Sequence, residues 1–300
     1  YEIGWCDWSS DVCFFRSVAA VALLVPLRAQ GGDTVPGRYA MATLSCEGRS
    51  DLSTVQWMAD AAAKHRLPYY LRFTSDRRGL VSTFGPGPGW LGRPFLVDLR
   101  PGTLVDDTLL ARRARLAAAS AVALSVIFLG LALLAVAPLG WAVFWALCAG
   151  LSFAGAATLG QGLWQQTASL PWLMGALAAT SWSDRRPWVA SLALLGGAAA
   201  AWLRPVELPL ALALALAAVL RCPKSAWTTR LVVLTLLPAL ALSLALSTYY
   251  QWYFDSPWPL AQWDANAEMT ETVLTSSPRS WLPGLYGLLL SPARGWLWFA

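Results

Sequence analysis

The stretch QGGDTVPGRYA, residues 30–40, places a carboxylate, Asp33, shortly before a guanidinium, Arg38, and a phenol, Tyr39. Partial burial raises the pKa of a carboxyl group, and such a group can accept a proton from a hydroxyl within hydrogen-bond reach. Arg38 can bind a phosphate through two parallel N–H donors. The alternative is an ordinary turn with an interfacial Tyr, since Gly-Gly-Asp-Thr is common turn chemistry. The stretch predicts Asp33 as a general base, and Arg38 and Tyr39 as substrate contacts.

Two later arginines offer the same phosphate chemistry. Arg204 lies in LRPVE and Arg294 in SPARGW. Because Pro205 restricts the residue before it, a helix is predicted to end at Arg204, with the guanidinium at a chain break. Each Arg has an alternative role as an interfacial side chain that extends to the membrane surface. For Arg204 a further alternative is an ion pair with Glu207, because a carboxylate that neutralises Arg204 would weaken the role of Arg204 as a phosphate contact.

A fourth stretch, TLGQGLWQQT, carries amides and an indole. Amide groups both donate and accept hydrogen bonds, as recognition of sugar hydroxyls requires. An indole can stack on a sugar ring, although a helix start with an interfacial Trp would give the same pattern. The predicted sugar-binding residues are Gln161, Trp164, Gln165 and Gln166.

Other site types are not indicated. GPGPG lacks the G-x-G-x-x-G spacing of a dinucleotide site, and the lone His65 is interpreted as a solvated residue. The cysteines form no C-x-x-C and no Cys/His cluster, so neither a disulfide framework nor a zinc site is expected. No cofactor is predicted, and a divalent metal is left open.

The composition is typical of a membrane protein. Of the residues, 57% are hydrophobic and 13% are charged, and the mean hydropathy is +0.49. Spanning segments must be helical because lipid offers the backbone no hydrogen-bond partners and the alternating pattern of a barrel is absent. The net charge of +5 comes largely from Arg beside apolar runs, which suits topology signals and lipid contacts better than nucleic acid.

The predicted fold is therefore all-α, a polytopic bundle with a long extracytoplasmic first loop that contains interfacial helices. One domain, 1–300, is predicted, with a first loop at 28–115 and a later loop at 251–280. Because the chain begins with Tyr1 and stops inside an apolar segment, it is expected to be part of a longer protein. The predicted spans are Cys13–Leu27 (alternatively a signal peptide), Leu116–Val136, Leu139–Leu159, Thr167–Trp182, Trp188–Leu203, Val206–Leu220, Leu231–Tyr250 and one from Trp281.

The first loop carries two local predictions of its own. DLSTVQWMADAAAKHR has apolar and small residues at helical spacing, which predicts a helix along the membrane surface. RGLVSTFGPGPGW is predicted to be a turn because its Pro residues remove amides and its Gly residues accept unusual φ values.

Alternation of the spans predicts which joints share a face. With Tyr1 inside, the basic joints SWSDRRP and RCPKSAWTTR fall in the cytoplasm, as the positive-inside rule requires. Arg112, Arg113 and Arg115 would then end the first loop on the outer face, as possible contacts for lipid phosphates. The stretches with Asp33, the Gln cluster and Arg204, together with the later loop, also fall outside. This arrangement predicts one extracytoplasmic site built from several loops.

Several stretches together resemble a known family. GGDTVPGRY, GLVSTFGPGP, LGQGLWQQT, LRP and GLYGLLLSPARGWLWF occur in an order similar to that of bacterial GT-C glycosyltransferases, the superfamily of protein O-mannosyltransferases and lipid A aminoarabinose transferases. The resemblance runs from about Gly31 to Ala300. Its individual motifs are degenerate, and their order carries the likeness.

The resemblance implies a bacterial inner-membrane enzyme that transfers a sugar from a polyprenyl-phosphate donor. The acceptor would be an extracytoplasmic lipid, glycan or protein, and Asp33 matches the acidic residue of the first outer loop. A phosphate leaving group needs positive charge rather than a strong general acid, so one carboxylate with Arg residues would suffice. Gln166 stands where related sequences often have His, and Gln cannot titrate.

Two other functions fit part of the pattern. A transporter or flippase of lipid-linked glycans would use similar helices but should carry ionisable groups within its spans, whereas the charges here cluster at joints. A non-catalytic membrane scaffold is the third interpretation.

Overall fold

The structure is a computed structural model, and it describes residues 71–73, 80–82, 86–96, 107–151, 165–223 and 229–258. The chain divides into two compact units, Tyr1–Pro259 and Leu260–Ala300, and all the described residues belong to the first. The predicted helix of the first loop and the spans at Cys13–Leu27 and from Trp281 lie outside the described residues.

Helices make up nearly all of the described chain, which confirms the all-α fold class. The elements are β1 Leu71–Phe73, β2 Leu80–Ser82, α1 Gly87–Gly92, α2 Asp107–Leu133, α3 Leu139–Leu151, α4 Gln165–Trp182, α5 Ala190–Leu203, α6 Leu208–Arg221 and α7 Thr229–Phe254. The strands β1 and β2 form one short antiparallel pair that aligns Arg72 with Val81. Three-residue 3-10 turns at Pro187–Val189 and Pro205–Glu207 lead into α5 and α6, and a four-residue one at Arg93–Leu96 follows α1.

The observed helices follow the predicted spans closely at several ends. Both α4 and α5 end where expected, at Trp182 and Leu203. Pro205 explains the second end, because the residue before a proline is disfavoured in a helix. α7 is longer than its predicted span and runs to Phe254, so the predicted later loop begins within this helix.

The start of α2 differs from the sequence prediction. The helix begins at Asp107 rather than Leu116, so Arg112, Arg113 and Arg115 lie on its first turns and not in a loop. The surrounding Leu, Ala and Arg residues are strong helix formers, and a polar composition therefore does not stop the helix here. Arg113 is fixed further, because its Nη1 donates to the carbonyl oxygen of Phe95 at 3.1 Å.

The prediction of a simple turn for RGLVSTFGPGPGW was wrong. Part of this stretch is β2, and part is α1, in which Pro88 is the second residue. Proline is tolerated at that position because the first N–H groups of a helix have no intrahelical acceptor.

Small residues let the central helices approach one another closely. A Cβ on Gly196 would lie 2.8 Å from the carbonyl oxygen of Trp172 and 3.3 Å from Ala176 Cβ, so α5 touches the backbone of α4. A Cβ on Gly197 would lie 3.3 Å from the carbonyl oxygen of Ala211. The three helices α4, α5 and α6 therefore pack around positions without bulky side chains.

One end of the bundle collects the joints predicted to be cytoplasmic. Arg221 Nη2 lies 3.4 Å from Asp184 Oδ2, which ties the end of α6 to the turn after α4. Arg185 donates to the carbonyl oxygen of Ala135 at 3.3 Å, and Trp182 Nε1 donates to that of Leu131 at 2.8 Å. The end of α2 therefore lies beside the ends of α4 and α6, and we call this region the Asp184 end.

The helices expose large apolar faces. Among the described residues, one helical segment, Thr108–Leu133, is both long and apolar enough to cross a membrane, with a mean hydropathy of 2.4. Leu139–Leu151 and Pro187–Leu203 are shorter apolar helices. The exposed side chains on the three outer helices include Trp141, Phe144 and Trp145 on α3, Leu212, Leu216 and Leu220 on α6, and Leu237, Leu240 and Leu244 on α7.

Candidate functional site

The structure describes part of the predicted site. Gln166 and Arg204 are described with their side chains, and Gln165 is the first residue of α4. The remaining predicted site residues, Asp33, Arg38, Tyr39, Gln161, Trp164 and Arg294, lie outside the described residues. The geometry of the site is therefore built from Gln166, Arg204 and their neighbours.

The Gly/Pro stretch GPGPG, whose Gly87 begins α1, lies beside the start of α4 and the end of α5. A Cβ on Gly87 would lie 3.0 Å from Leu203 Cδ2 and 3.3 Å from Ala168 Cβ. Leu203 is the last residue of α5, and Ala168 lies on the first turn of α4. A side chain at position 87 would be tightly packed against both helices, so α1 approaches them closely here. Three segments that were predicted to share the outer face therefore meet at one end of the bundle, which we call the Arg204 end.

The last turns of α7 reach the same end. Tyr250 is fully buried, and its hydroxyl donates to the carbonyl oxygen of Trp202 at 3.1 Å. The rings of Trp202 and Tyr250 stack with centroids 5.9 Å apart. Tyr249 makes an edge contact with Trp90 of α1, with centroids 6.0 Å apart. These aromatic contacts hold α1, α5 and α7 together beside Arg204.

Arg204 lies at the break between α5 and α6. Its backbone is extended, and its side chain is 31% exposed. Its Nη1 donates to Glu207 Oε1 at 3.1 Å, while Nε and Nη2 have no partner within the described part of the chain. The ion pair that the sequence offered as an alternative is therefore present. It occupies one nitrogen of the guanidinium and leaves the edge formed by Nε and Nη2.

Glu207 is held from a second side by α4. The hydroxyl of Ser169 lies 2.8 Å from Glu207 Oε1 and 3.2 Å from the carbonyl oxygen of Gln166. A hydroxyl has one hydrogen, and the shorter contact to the carboxyl oxygen is the stronger of the two. The joint before α6 is thereby fixed to the first turns of α4. We call Ser169, Glu207 and Arg204 the polar cluster of the Arg204 end.

The electrostatics of this cluster are dominated by burial. The side chain of Glu207 is 10% exposed, and among the described residues its Oε2 has no hydrogen-bond partner. Glu207 lies in the connection before α6, which begins at Leu208 rather than at the predicted Val206. Burial raises the pKa of Glu207 above its ordinary value, and the hydrogen bonds from Ser169 and Arg204, with the charge of Arg204, oppose this rise.

Gln166 lies next to the cluster, since its carbonyl oxygen is 3.2 Å from the hydroxyl of Ser169. Gln166 is half-buried and lies on the first turn of α4, three positions before Ser169. The start of a helix carries a partial positive charge, and Gln166 lies at such a position. Gln166 can present an amide to a ligand there, while Arg204 presents N–H donors from the neighbouring joint.

Sequence reasoning found part of this arrangement. It singled out Gln166, Arg204 and the competing Glu207, but it missed Ser169 and the Trp202–Tyr250 pair. One signal was present for Ser169, since it is a polar residue near the start of a predicted span, where a hydroxyl needs an acceptor. Which acceptor it finds depends on the packing of α4 against α5 and cannot be obtained from spacing.

The cluster has the donors for an anion and the acceptors for hydroxyl groups. A phosphate can accept hydrogen bonds from the free edge of Arg204, and a sugar hydroxyl can bind the Gln166 amide. Across the described residues, no three His, Cys, Asp or Glu side chains are grouped so that they could hold a metal ion. Comparison of the chain with protein-family models, with curated proteins and with solved structures gave no match.

Proposed function

We propose that the protein is a polytopic membrane glycosyltransferase of the GT-C type. It transfers a sugar from a polyprenyl-phosphate donor to a lipid, glycan or protein acceptor on the outer face of a bacterial inner membrane. Asp33 is the base, and Arg38, Arg204 and Arg294 bind the donor phosphate. The sugar and acceptor contact Tyr39, Gln161, Trp164, Gln165 and Gln166.

One observation carries this proposal. The Gly/Pro stretch, the start of α4 and the Arg204 joint belong to three separate joints, and they meet at one end of the bundle. The same three stretches contribute to the order of motifs that resembles the GT-C enzymes. The basic turns at Asp184 and Arg221 meet at the Asp184 end instead. Basic joints at one end and ligand-binding groups at the other suit a site on the outer side of a membrane.

The exposed apolar faces support the membrane part of the proposal. On α3, Trp141, Phe144 and Trp145 are each at least half exposed, and the ring of Phe144 contacts both Trp rings edge to face. Large apolar side chains are exposed on α6 and α7 as well, and contiguous exposed apolar surface is typical of an interaction with a membrane or a partner. Lipid chains would cover these exposed apolar side chains, and the contacts between the helices would stay as they are.

The chemistry follows from the leaving group. When the acceptor hydroxyl attacks the anomeric carbon, the bond from that carbon to the phosphate oxygen breaks and the configuration inverts. Asp33 takes the proton of the hydroxyl, and the departing polyprenyl phosphate keeps the electron pair. Arg side chains stabilise the negative charge that develops on this phosphate.

Donor choice tests the proposal. Full-length protein in proteoliposomes is given the same radiolabelled sugar on polyprenyl phosphate or on a nucleoside diphosphate, together with a membrane extract as the source of acceptor. We expect sugar transfer, with release of polyprenyl phosphate, from the lipid donor alone. Transfer from the nucleotide donor alone would contradict the proposal. Movement of the donor lipid across the bilayer without sugar transfer would instead support a transporter.

A further inference from the structure

We infer that Glu207 is a positioning residue for the donor phosphate: it holds Arg204 through Nη1 and leaves the Nε–Nη2 edge open to a phosphate monoester. This inference rests on the proposed function, which makes polyprenyl phosphate the ligand. In this inference the Arg204–Glu207 ion pair supports phosphate binding by Arg204, whereas neutralisation of Arg204 would weaken it.

The first argument is the anchoring of Glu207. Ser169 of α4 donates to Oε1 at 2.8 Å, and the backbone N–H of Glu207 donates to the carbonyl oxygen of Arg204 at 2.9 Å. The carboxyl group is thus bound to a neighbouring helix, and the backbone of Glu207 is bound to the turn that carries Arg204. A guanidinium that is bound to an immobile carboxyl loses less rotamer freedom when it binds a ligand.

The second argument is the edge that stays free. Glu207 uses Nη1 of Arg204, and the side chain of Arg204 remains 31% exposed. The Nε–Nη2 edge carries two parallel N–H donors, the geometry that binds phosphate in a bidentate manner. A carboxyl group that competed with phosphate would be expected to occupy such an edge. Here the described residues leave that edge open.

The third argument concerns charge. Burial raises the pKa of Glu207, which reduces the negative charge that a phosphate would meet. Glu207 immediately precedes α6, and its partner Ser169 lies near the start of α4. Helix starts carry a partial positive charge of about half a unit each. Together with Arg204 they keep the region attractive to an anion despite the carboxyl group.

A binding measurement tests the inference without relying on catalysis. Full-length protein in nanodiscs is titrated with polyprenyl phosphate and with polyprenol of the same length, and the ratio of the two affinities gives the phosphate preference. We expect Glu207→Gln to lower this preference about tenfold, the change that corresponds to about 1.4 kcal/mol. Ser169→Ala should lower it in the same direction, and Ser169→Ala added to Glu207→Gln should have little further effect.

The matched control lies at the other end of the bundle. Asp184→Asn breaks the ion pair with Arg221 and should leave the phosphate preference unchanged. Melting temperatures of all variants check that they fold. Should Glu207→Gln not fold, Ser169→Ala decides the test, since loss of anchoring predicts a lower phosphate preference for it as well. Inorganic phosphate is added as a competitor; displacement of the lipid at equal concentration would overturn the assignment to a lipid-linked phosphate.

The outcomes separate the inference from the proposed function. A preference that is unchanged or increased in Glu207→Gln, but lost in Arg204→Gln, overturns the positioning role alone and makes Glu207 a bystander or a neutralising group. Wild-type protein with no preference for the phosphate overturns the inference and the polyprenyl-phosphate donor together.

Discussion

A buried carboxyl group is stable only when its oxygen atoms find donors or keep a proton. At Glu207, Oε1 has two donors, whereas Oε2 is buried without a partner among the described residues. A structural ion pair alone would gain from satisfying both oxygens. At the scale of single residues, burial of Oε2 without a donor is therefore unfavourable for the charged carboxylate and favours the protonated form.

Removal of the Glu207 carboxyl group should destabilise the fold. In Glu207→Ala the Ser169 hydroxyl loses its shorter acceptor and the partly buried Arg204 loses its counter-ion. Ser169 keeps only its longer contact to the Gln166 carbonyl oxygen, and each hydrogen bond lost to a charged group costs about 1.5–3 kcal/mol, so we expect a lower melting temperature in detergent. Glu207→Gln, which keeps an oxygen for Ser169, should lose less. Equal melting temperatures for wild type and Glu207→Ala would contradict the contacts described.

The stability that Glu207 contributes should fall as the pH rises. Because burial raises its pKa in the fold above the ordinary value of 4.5, the folded state binds this proton more tightly than the unfolded state does. The contribution is complete below pH 4.5 and is lost as the pH rises through the raised value. The melting temperature of wild type minus that of Glu207→Gln should therefore decrease with rising pH. An increase would mean that Arg204 and Ser169 outweigh burial.

At the scale of helices, close packing decides where the polar cluster lies. Gly196 lets α5 rest against the backbone of α4, and the joint that follows α5 carries Glu207 within hydrogen-bond distance of Ser169 on α4. Small residues at this contact therefore help to bring Ser169 and Glu207 within hydrogen-bond distance. A bulkier contact would separate the two partners.

A methyl group tests that contact. Gly196→Ala should lower the melting temperature, because its Cβ would lie 2.8 Å from the carbonyl oxygen of Trp172. Overpacking typically costs about 1–3 kcal/mol, which exceeds the gain of about 1 kcal/mol from replacing Gly by Ala in a helix. The control is Gly140→Ala in α3, where a Cβ would meet nothing within 4 Å. An unchanged or higher melting temperature for Gly196→Ala would contradict the close approach.

Helix ends were the most predictable feature of the sequence, and contacts between helices the least. Pro205 marked the end of α5 through a local steric rule that needs no tertiary information. The early start of α2 was missed, because three Arg residues suggested a loop although Arg is a good helix former. The Ser169–Glu207 bond joins residues 38 positions apart, so only the folded packing of α4 and α5 determines it.

At the scale of the whole molecule, the directions of the helices place the two groups of joints at opposite ends of the bundle. The Asp184 end and the Arg204 end lie at opposite termini of α4, α5 and α6. Several helices are short, since α5 and α6 have 14 residues each and extend about 21 Å. If these helices cross the membrane as proposed, a bilayer core of about 30 Å has to thin locally around them, as membranes do around short hydrophobic segments.

Cysteine labelling tests the orientation. In a background without native cysteines, we expect Asp184→Cys to react with a membrane-impermeant reagent only after the membrane is opened. Ser256→Cys, just beyond α7, should react from the outside of intact cells. Reaction of both sites from the same side would contradict a bundle that crosses the membrane between its two ends.

The most direct test of the central claim is sugar transfer by full-length Asp33→Asn protein from a polyprenyl-phosphate donor. Asn keeps the size of the side chain but cannot take up the acceptor proton, and loss of such a base typically costs about 10²–10⁴ in rate. Asp184→Asn, at the Asp184 end, is the matched control and should transfer sugar at the wild-type rate. We predict a drop of at least about a hundredfold for Asp33→Asn with donor binding retained. Near-normal transfer by Asp33→Asn would contradict the account.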